Sequence, residues 1–182
     1  NFLILHISTD EVFGSLGEKG FFSEESSYDP RSPYAASKAS SDHLVKSWYY
    51  TYGLPSIVTN CSNNFGPWQF PEKLIPYVIL NSISNNIFTL YGDGKNIRDW
   101  IYVEDHIDAL LEITKKGQIG SSYCIGANQE KTNEEVVASI CKLLDNYHQV
   151  GYPHLKHKRY IKDRLGHDRR YALDTKRIQA HT

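Results

Sequence analysis

Short apolar runs alternate with longer stretches of helical periodicity along this chain, and that alternation leaves few folds open. Phe2 to Ile7 is a brief apolar run passing into polar residues, as in a parallel strand buried on both faces. Ser15 to Pro33 mixes Gly, Ser, Glu, Asp and Pro and reads as a loop. Pro33 opens a helix to about Tyr52, with Leu44, Val45, Trp48 and Tyr52 at helical spacing and Gly53 and Pro55 as its stop. Ser56 to about Cys61 reads as a second buried strand, and Glu72 to Ser84 as a helix with Leu74, Ile75, Val78 and Ile79 on one side. Phe88 to Tyr91 is a short strand closed by Gly92-Asp93-Gly94, and Trp100 to Val103 is extended. Glu104 to Lys115 is a helix and Ser122 to Ile125 a strand. Thr132-Asn133-Glu134-Glu135 is a capping box opening a helix to about Leu144, and Arg159 to Ile161 is a late strand. Strands alternating with helices predict an α/β chain with a parallel sheet. There is no internal repeat, and the His/Lys/Tyr-rich stretch after Asn146 reads as a surface connection.

Charge and cysteine content narrow the function classes. The 182 residues carry 20 basic and 21 acidic side chains, a net charge of -1, so no field of one sign recommends nucleic acid or an anionic membrane as partner. No apolar run is long enough to cross a bilayer, and the start has no signal pattern. Cys61, Cys124 and Cys141 are far apart, which argues against a disulfide framework and a zinc site and predicts a reducing cytoplasm. Asn60-Cys61-Ser62 matches a glycosylation sequon, but it sits at the end of a strand expected to be buried. No methionine occurs; the chain opens inside an apolar strand and stops at Ala180-His181-Thr182 as a helix begins, so both ends are expected to be cut.

Two groups of residues carry chemistry. Ser8-Thr9-Asp10-Glu11 lies where the first strand ends, and ligands of open α/β sheets sit at the carboxyl ends of strands. Two adjacent acids there can meet different environments, one protonated as an acid and the other ionised as a base; a solvated acidic turn or a helix cap fits the same residues. Tyr34 and Lys38 are four apart on a helix and share a face. A nearby ammonium lowers a phenol's pKa from about 10 toward neutrality; by spacing alone the pair also fits a surface of an amphipathic helix. His148, His154 and His157 lie in a weakly patterned connection that reads as a solvated loop, so no metal is expected. In Asp163-Arg164-Leu165-Gly166-His167-Asp168-Arg169-Arg170, the guanidinium groups suit phosphate oxygens or an ordinary salt-bridged surface.

Taken in order, these stretches resemble the dTDP-glucose 4,6-dehydratase family of extended short-chain dehydrogenases/reductases. The resemblance rests on His6 to Val12, Ser32 to Leu44, Asn60 to Pro67, Phe70 to Pro76, Tyr91 to Gly94, Arg98-Asp99-Trp100, Tyr102 to His106 and Gly166 to Tyr171. It implies the C-terminal part of a Rossmann-like parallel sheet plus a smaller substrate-binding domain, with residues 1–66 carrying the chemistry and 67–182 mainly the nucleotide sugar. It implies NAD as a returning hydride carrier, dTDP-glucose as substrate and a homodimer in the full-length protein.

The roles implied by the resemblance are specific. Tyr34 takes the proton of the sugar 4-hydroxyl, Lys38 holds the phenolate and the nicotinamide ribose, and Thr9 hydrogen-bonds the 4-hydroxyl. Glu11 removes the C5 proton and Asp10 protonates the departing 6-hydroxyl. Asn63 touches the substrate and Asn64 the cofactor side. Lys73, Leu74, Thr89, Leu90, Tyr91, Arg98, Asn133, Asp163, Arg164, Leu165, Gly166 and His167 hold the nucleotide and its diphosphate, with Arg98 and Arg164 as the main diphosphate ligands.

The family's opening strand, glycine-rich turn and helix, which bind the cofactor pyrophosphate, are not in this sequence. Its final segment is also missing, and Phe13 stands where members usually carry tyrosine. The expectation is a segment of a working dehydratase that by itself neither holds NAD tightly nor turns over. The alternatives are a non-catalytic nucleotide-sugar-binding remnant and a related epimerase or decarboxylase, against which the Asp10-Glu11 pair argues.

Overall fold

A computed structural model describes residues 2–148 and 150–181; Thr182, in the expected C-terminal helix, lies outside them. In chain order the elements are β1 (Ile4–Thr9), α1 (Pro33–Tyr52), β2 (Ser56–Cys61), β3 (Asn63–Phe65), α2 (Leu74–Ile83), β4 (Phe88–Tyr91), β5 (Ile97–Tyr102), α3 (Val103–Lys116), β6 (Ser122–Ile125), β7 (Glu130–Thr132), α4 (Asn133–Tyr147), β8 (Lys158–Ile161) and α5 (Lys176–His181). Short 3₁₀ turns cover Asp10–Phe13 and His154–His157.

The first sheet has the order β1-β2-β6 and is parallel throughout. Thr9 pairs with Cys61, and Cys61 with Ile125, so the carboxyl ends of all three strands align. Beside it, β3 runs parallel to β5 and β5 antiparallel to β7. The third pairing joins β4 to β8 in parallel, with Tyr91 opposite Ile161. The expected α/β class with a parallel sheet is what the chain adopts.

Helix boundaries follow local chemistry. The Ser32 hydroxyl accepts from the Ala35 amide at 3.0 Å, Pro33 occupies the first turn, and Gly53 ends α1 in the left-handed region at φ 68°. The full capping box forms at α4, with Glu135 reaching back to the Thr132 amide at 2.7 Å.

Three apolar clusters hold the elements together. Ile57, Tyr123 and Ile125 pack with Leu110, Ile113 and Ile178 of α3 and α5. Phe88 and Leu90 pack with Val78, Val137 and Ile140 of α2 and α4. Val12, Phe13, Ala39, Cys124 and Leu173 form the third beside the first 3₁₀ turn.

Within the described residues β1 pairs with β2 alone, and Ile7 is exposed. Three of the four apolar α1 residues at helical spacing face outward. Leu44, Trp48 and Tyr52 are exposed, and α1 instead buries Ala35, Ala39 and Asp42. Small residues let α1 approach the sheet closely, and the bulky ones point away. The connection after α4 is not purely a solvated surface, because His154 is fully buried. Its Nδ1 and backbone N–H both meet Asp145 Oδ1, at 2.7 and 2.8 Å, which explains how an imidazole is tolerated there.

Candidate active site

The end of β1 turns sharply because Thr9 caps the following 3₁₀ turn. Thr9 Oγ1 accepts from the Glu11 amide at 3.3 Å and donates to Asp10 Oδ1 at 3.4 Å. Thr9 thus serves as helix cap and as hydrogen-bond partner of Asp10. Asp10 is buried, and its Oδ2 has no partner within the protein. Burial, reinforced by the neighbouring Glu11 charge, pushes the Asp10 carboxyl up to about 8, although Arg98 pulls it down. Burial thus favours the protonated form of Asp10, whose Oδ2 is open to a hydroxyl. Glu11 is also raised by burial, opposed by Arg98, then by Arg164 and Lys73. Both carboxyls are thus shifted in the same direction, with burial as the first cause for each.

Tyr34 stands at the start of α1 with its ring 54% exposed. Burial raises its pKa, followed by the charges of Glu11, Cys61 and Asp10. That shared field places the phenol on the same side as the acidic turn. The expected lowering by Lys38 is not found. Lys38 Nζ instead donates to the Ile7 carbonyl at 2.8 Å, which ties α1 to β1. The phenol thus lacks the partner that would stabilise its ionised form.

Asn63 and Asn64 follow on β3. The Asn64 amide donates to the Ser62 carbonyl at 3.0 Å and to Cys61 Sγ at 3.5 Å, and its Oδ1 accepts from His106 Nδ1 at 2.7 Å. Burial holds His106 below its usual range, so the ring is neutral with its proton on Nδ1. Asn64 is thereby fixed in one orientation. Cys61 lies at the same strand end, its thiol pushed up to about 12 by burial.

The β4–β8 pairing brings the residues expected on the nucleotide together. Arg164 lies over the Tyr91 ring at 5.1 Å, and His167 links Arg164 at 3.0 Å to Asp163 at 2.6 Å. Gly166 is in the left-handed region at φ 66°, against the Arg31 carbonyl. Thr89 meets the Tyr77 hydroxyl at 3.2 Å. Lys73 and Leu74 mark the start of α2, and Asn133 that of α4. Leu165 is exposed. Leu90 points the other way, into the α2–α4 core, so its side chain takes no part in a site.

Arg98 is more enclosed than a diphosphate ligand on an open surface. It donates to the Ile97 carbonyl at 2.7 Å and the Asp168 carbonyl at 2.9 Å, and stacks over Tyr171 at 4.3 Å. Tyr171 in turn donates to Asp168. Arg169 and Arg170 are salt-bridged to Asp93 and Glu130. Tyr171, His106 and Asp42 were not singled out by chemistry in the sequence, although Asp42 left a signal as an acid one turn after Lys38. Among the described residues no group of His, Cys, Asp or Glu could hold a metal ion.

Comparison with known proteins places this geometry. The family described as GDP-mannose 4,6 dehydratase matches residues 1–182. The dTDP-glucose 4,6-dehydratase of Xanthomonas campestris pv. campestris (strain B100) is 51% identical over 180 residues, covering 98% of this chain and 51% of that protein. The dTDP-glucose 4,6-dehydratase 1 of Escherichia coli (strain K12) is 51% identical over 187 residues, covering 98% of this chain and 52% of its own length. The chain thus spans about half the length of the relatives it matches. A Bacillus anthracis str. Ames dTDP-glucose 4,6-dehydratase in complex with NAD superposes with a TM-score of 0.89 at 47% identity, covering 97% of this chain and 54% of that one. A Streptomyces venezuelae dTDP-glucose 4,6-dehydratase with NAD and TYD bound gives 0.90 at 41%, covering 98% and 53%. A Thermus thermophilus UDP-glucose 4-epimerase, at 24% identity and a TM-score of 0.87, shares the fold. Matched along its whole length, the chain belongs to the GDP-mannose 4,6 dehydratase family.

Proposed function

We propose that this chain is the catalytic and nucleotide-sugar-binding portion of an NAD-dependent lyase that converts dTDP-glucose to its 4-keto-6-deoxy product. The observation that carries the reading is the buried Asp10 with its unpartnered Oδ2 beside Glu11, both acting on the Tyr34 phenol. Redox chemistry alone has no use for such a pair, whereas loss of water needs an acid and a base on adjacent atoms.

Tyr34 accepts the proton of the sugar 4-hydroxyl, which Thr9 holds by hydrogen bond. Glu11 takes the proton at C5, made acidic by the C4 ketone. Asp10 delivers its proton to the departing 6-hydroxyl, so the leaving group is water. NAD held beside Tyr34 would supply the hydride chemistry between C4 and C6, and the proton that Glu11 took goes back to C5 to complete the 4-keto-6-deoxy product. The half-open Tyr34 ring at aligned parallel strand ends, with Lys38 and Asn64 nearby in the fold, fits the nicotinamide end of that cofactor. Lys73, Arg98, Tyr91, Asn133 and the Asp163–His167 segment suit the nucleotide diphosphate; all three cations already act on Glu11 or Asp10 or, as Arg164 does, on both Glu11 and Tyr91. Residues 1–66 then carry the chemistry and 67–182 mainly the nucleotide, with β6 returning to complete the first sheet.

The full-length protein is proposed to be cytoplasmic and dimeric, with no nucleic-acid or membrane partner. Free, unpaired cysteines and a net charge of -1 support the compartment, and the exposed Leu44, Trp48 and Tyr52 of α1 support self-association. No described helix is long and apolar enough to cross a membrane.

The reading is tested in the full-length protein with Asp10→Asn and Glu11→Gln. Both spare oxidation at C4, followed with a 6-deoxy substrate analogue, more than they spare water loss. If oxidation falls as far as in Tyr34→Phe, the division of labour is wrong.

A further inference from the structure

The face of the first sheet covered by α1 is joined by a polar network where apolar packing would be simpler. Its centre is Asp42, which has no solvent exposure. Asp42 Oδ1 meets His6 Nε2 on β1 at 2.9 Å. Its Oδ2 accepts from the Tyr28 hydroxyl at 2.8 Å and from Asn60 Nδ2 on β2 at 3.1 Å. The second amide proton of Asn60, itself buried, goes to the Thr9 carbonyl at 3.2 Å. A carboxylate only accepts, so His6 carries its proton on Nε2.

This network joins α1 to the end of β1 by a second route. Lys38, one turn before Asp42, holds the Ile7 carbonyl, and Asp42 through Asn60 holds that of Thr9. The two attachments bracket Ser8, immediately before the Thr9-Asp10-Glu11 turn. A buried carboxylate is costly unless fully hydrogen-bonded, and apolar residues could pack a helix on a sheet without that cost. What the polar route adds is direction: both carbonyls are held at fixed distances from the helix that carries Tyr34.

We propose that Asp42 is a positioning residue, which through Asn60 sets Thr9 and the Asp10-Glu11 turn against the helix that carries Tyr34. Its catalytic consequence rests on the dehydratase reading above. Misplacement of a reacting group by about 1 Å costs on the order of 100-fold in rate.

The test compares Asp42→Leu, Asn60→Ala and Asp42→Asn with the unaltered full-length protein by hydrogen exchange without substrate and by steady-state kinetics. Asp42→Leu and Asn60→Ala are expected to speed amide exchange across residues 9–12 by about tenfold or more, with α3 and β6 unchanged, because the Thr9 carbonyl loses its tether. They are expected to lower kcat by roughly 10- to 100-fold while KM for the nucleotide sugar stays within about twofold. Asp42→Asn keeps an acceptor for Asn60 and is expected to recover most of both losses. The double variant Asp42→Leu/Asn60→Ala is expected to be no worse than the worse single one, since both cut one route. If Asp42→Leu does not fold, Asn60→Ala decides alone. Unchanged exchange across residues 9–12, or a loss expressed as raised KM with kcat intact, overturns the proposal. An unaltered protein that fails to turn over tells against the dehydratase reading, while the exchange comparison still decides the positioning role.

Discussion

Lys38 Nζ lies 2.8 Å from the carbonyl oxygen of Ile7, and the Tyr34 phenol one turn away is left in a field of acidic groups. The lysine anchors the helix, and the phenol keeps its proton. The proposed base role of Tyr34 therefore requires a change in its surroundings when ligands bind.

In the ligand-free protein, Tyr34 is expected to ionise above the ordinary value of about 10. Absorbance titration at the phenolate band, with Tyr34→Phe as the blank, reads it directly. Glu11→Gln is expected to bring the value down, because the Glu11 charge is the next cause after burial. No movement in that variant would remove the coupling between the two residues.

Asp10 makes stability depend on pH. Its carboxyl is raised from 3.8 to about 8 in the folded protein, so the native state holds a proton that the unfolded chain has released. The favourable contribution is complete below about pH 4 and is lost as pH rises toward 8. Asp10→Asn removes the liability and is expected to stabilise the fold by about 2 kcal/mol or more at pH 8, and by little at pH 4. Thermal or urea unfolding at the two pH values checks the sign.

Arg98→Lys is expected to behave as a damaging change. One ammonium cannot span the Ile97 and Asp168 carbonyls and still stack on Tyr171 as the guanidinium does. A loss of roughly 2 kcal/mol in stability is expected, from carbonyls left short of donors. Calorimetry with thymidine diphosphate on the full-length protein is expected to show weaker binding by about tenfold. Wild-type stability and affinity in this variant would mean that the buried guanidinium is dispensable.

Gly66 closes the strand that positions Asn63 and Asn64. Its φ is 149°, and an added Cβ would lie 2.6 Å from Val103 Cγ1. Gly66→Ala is expected to cost about 2 kcal/mol from backbone strain and overpacking. Val103→Ala in the same chain relieves the contact and is expected to return part of it. Equal Tm values for single and double variants would assign the whole cost to the backbone.

Signals that act within a few residues were legible. Ser32-Pro33 and Gly53 bounded α1, and Thr132 to Glu135 bounded α4, because caps are local chemistry. The Ser56–Cys61 and Ser122–Ile125 strands were legible from their flanks and composition. β3 and β7 were not, since both are short, polar and made by pairing with β5. Which face of α1 points outward was not legible, for a related reason. Periodicity shows which residues share a face, and only the close approach of Ala35 and Ala39 decides which face is inside. Leu90 was misplaced although alternation with Phe88 in β4 pointed inward. The acidic turn and Tyr34 were found by residue type, whereas Asp42, Asn60 and His106 act through partners distant in sequence.

The β4–β8 ladder has a consequence for the order in which this molecule is built. Phe88 pairs with Lys158 and Tyr91 with Ile161, so one strand of the pair is made long after the other. On a ribosome, Tyr91 waits until the Arg164 segment has emerged, while β1, α1 and β2 are already available to each other. Closing so large a loop is entropically late as well as chronologically late. The β1, α1 and β2 scaffold is thus joined before the β4–β8 ladder closes, whereas the acidic turn, whose Val12 and Phe13 pack with Cys124 and Leu173, waits for the same late chain as Tyr91 does.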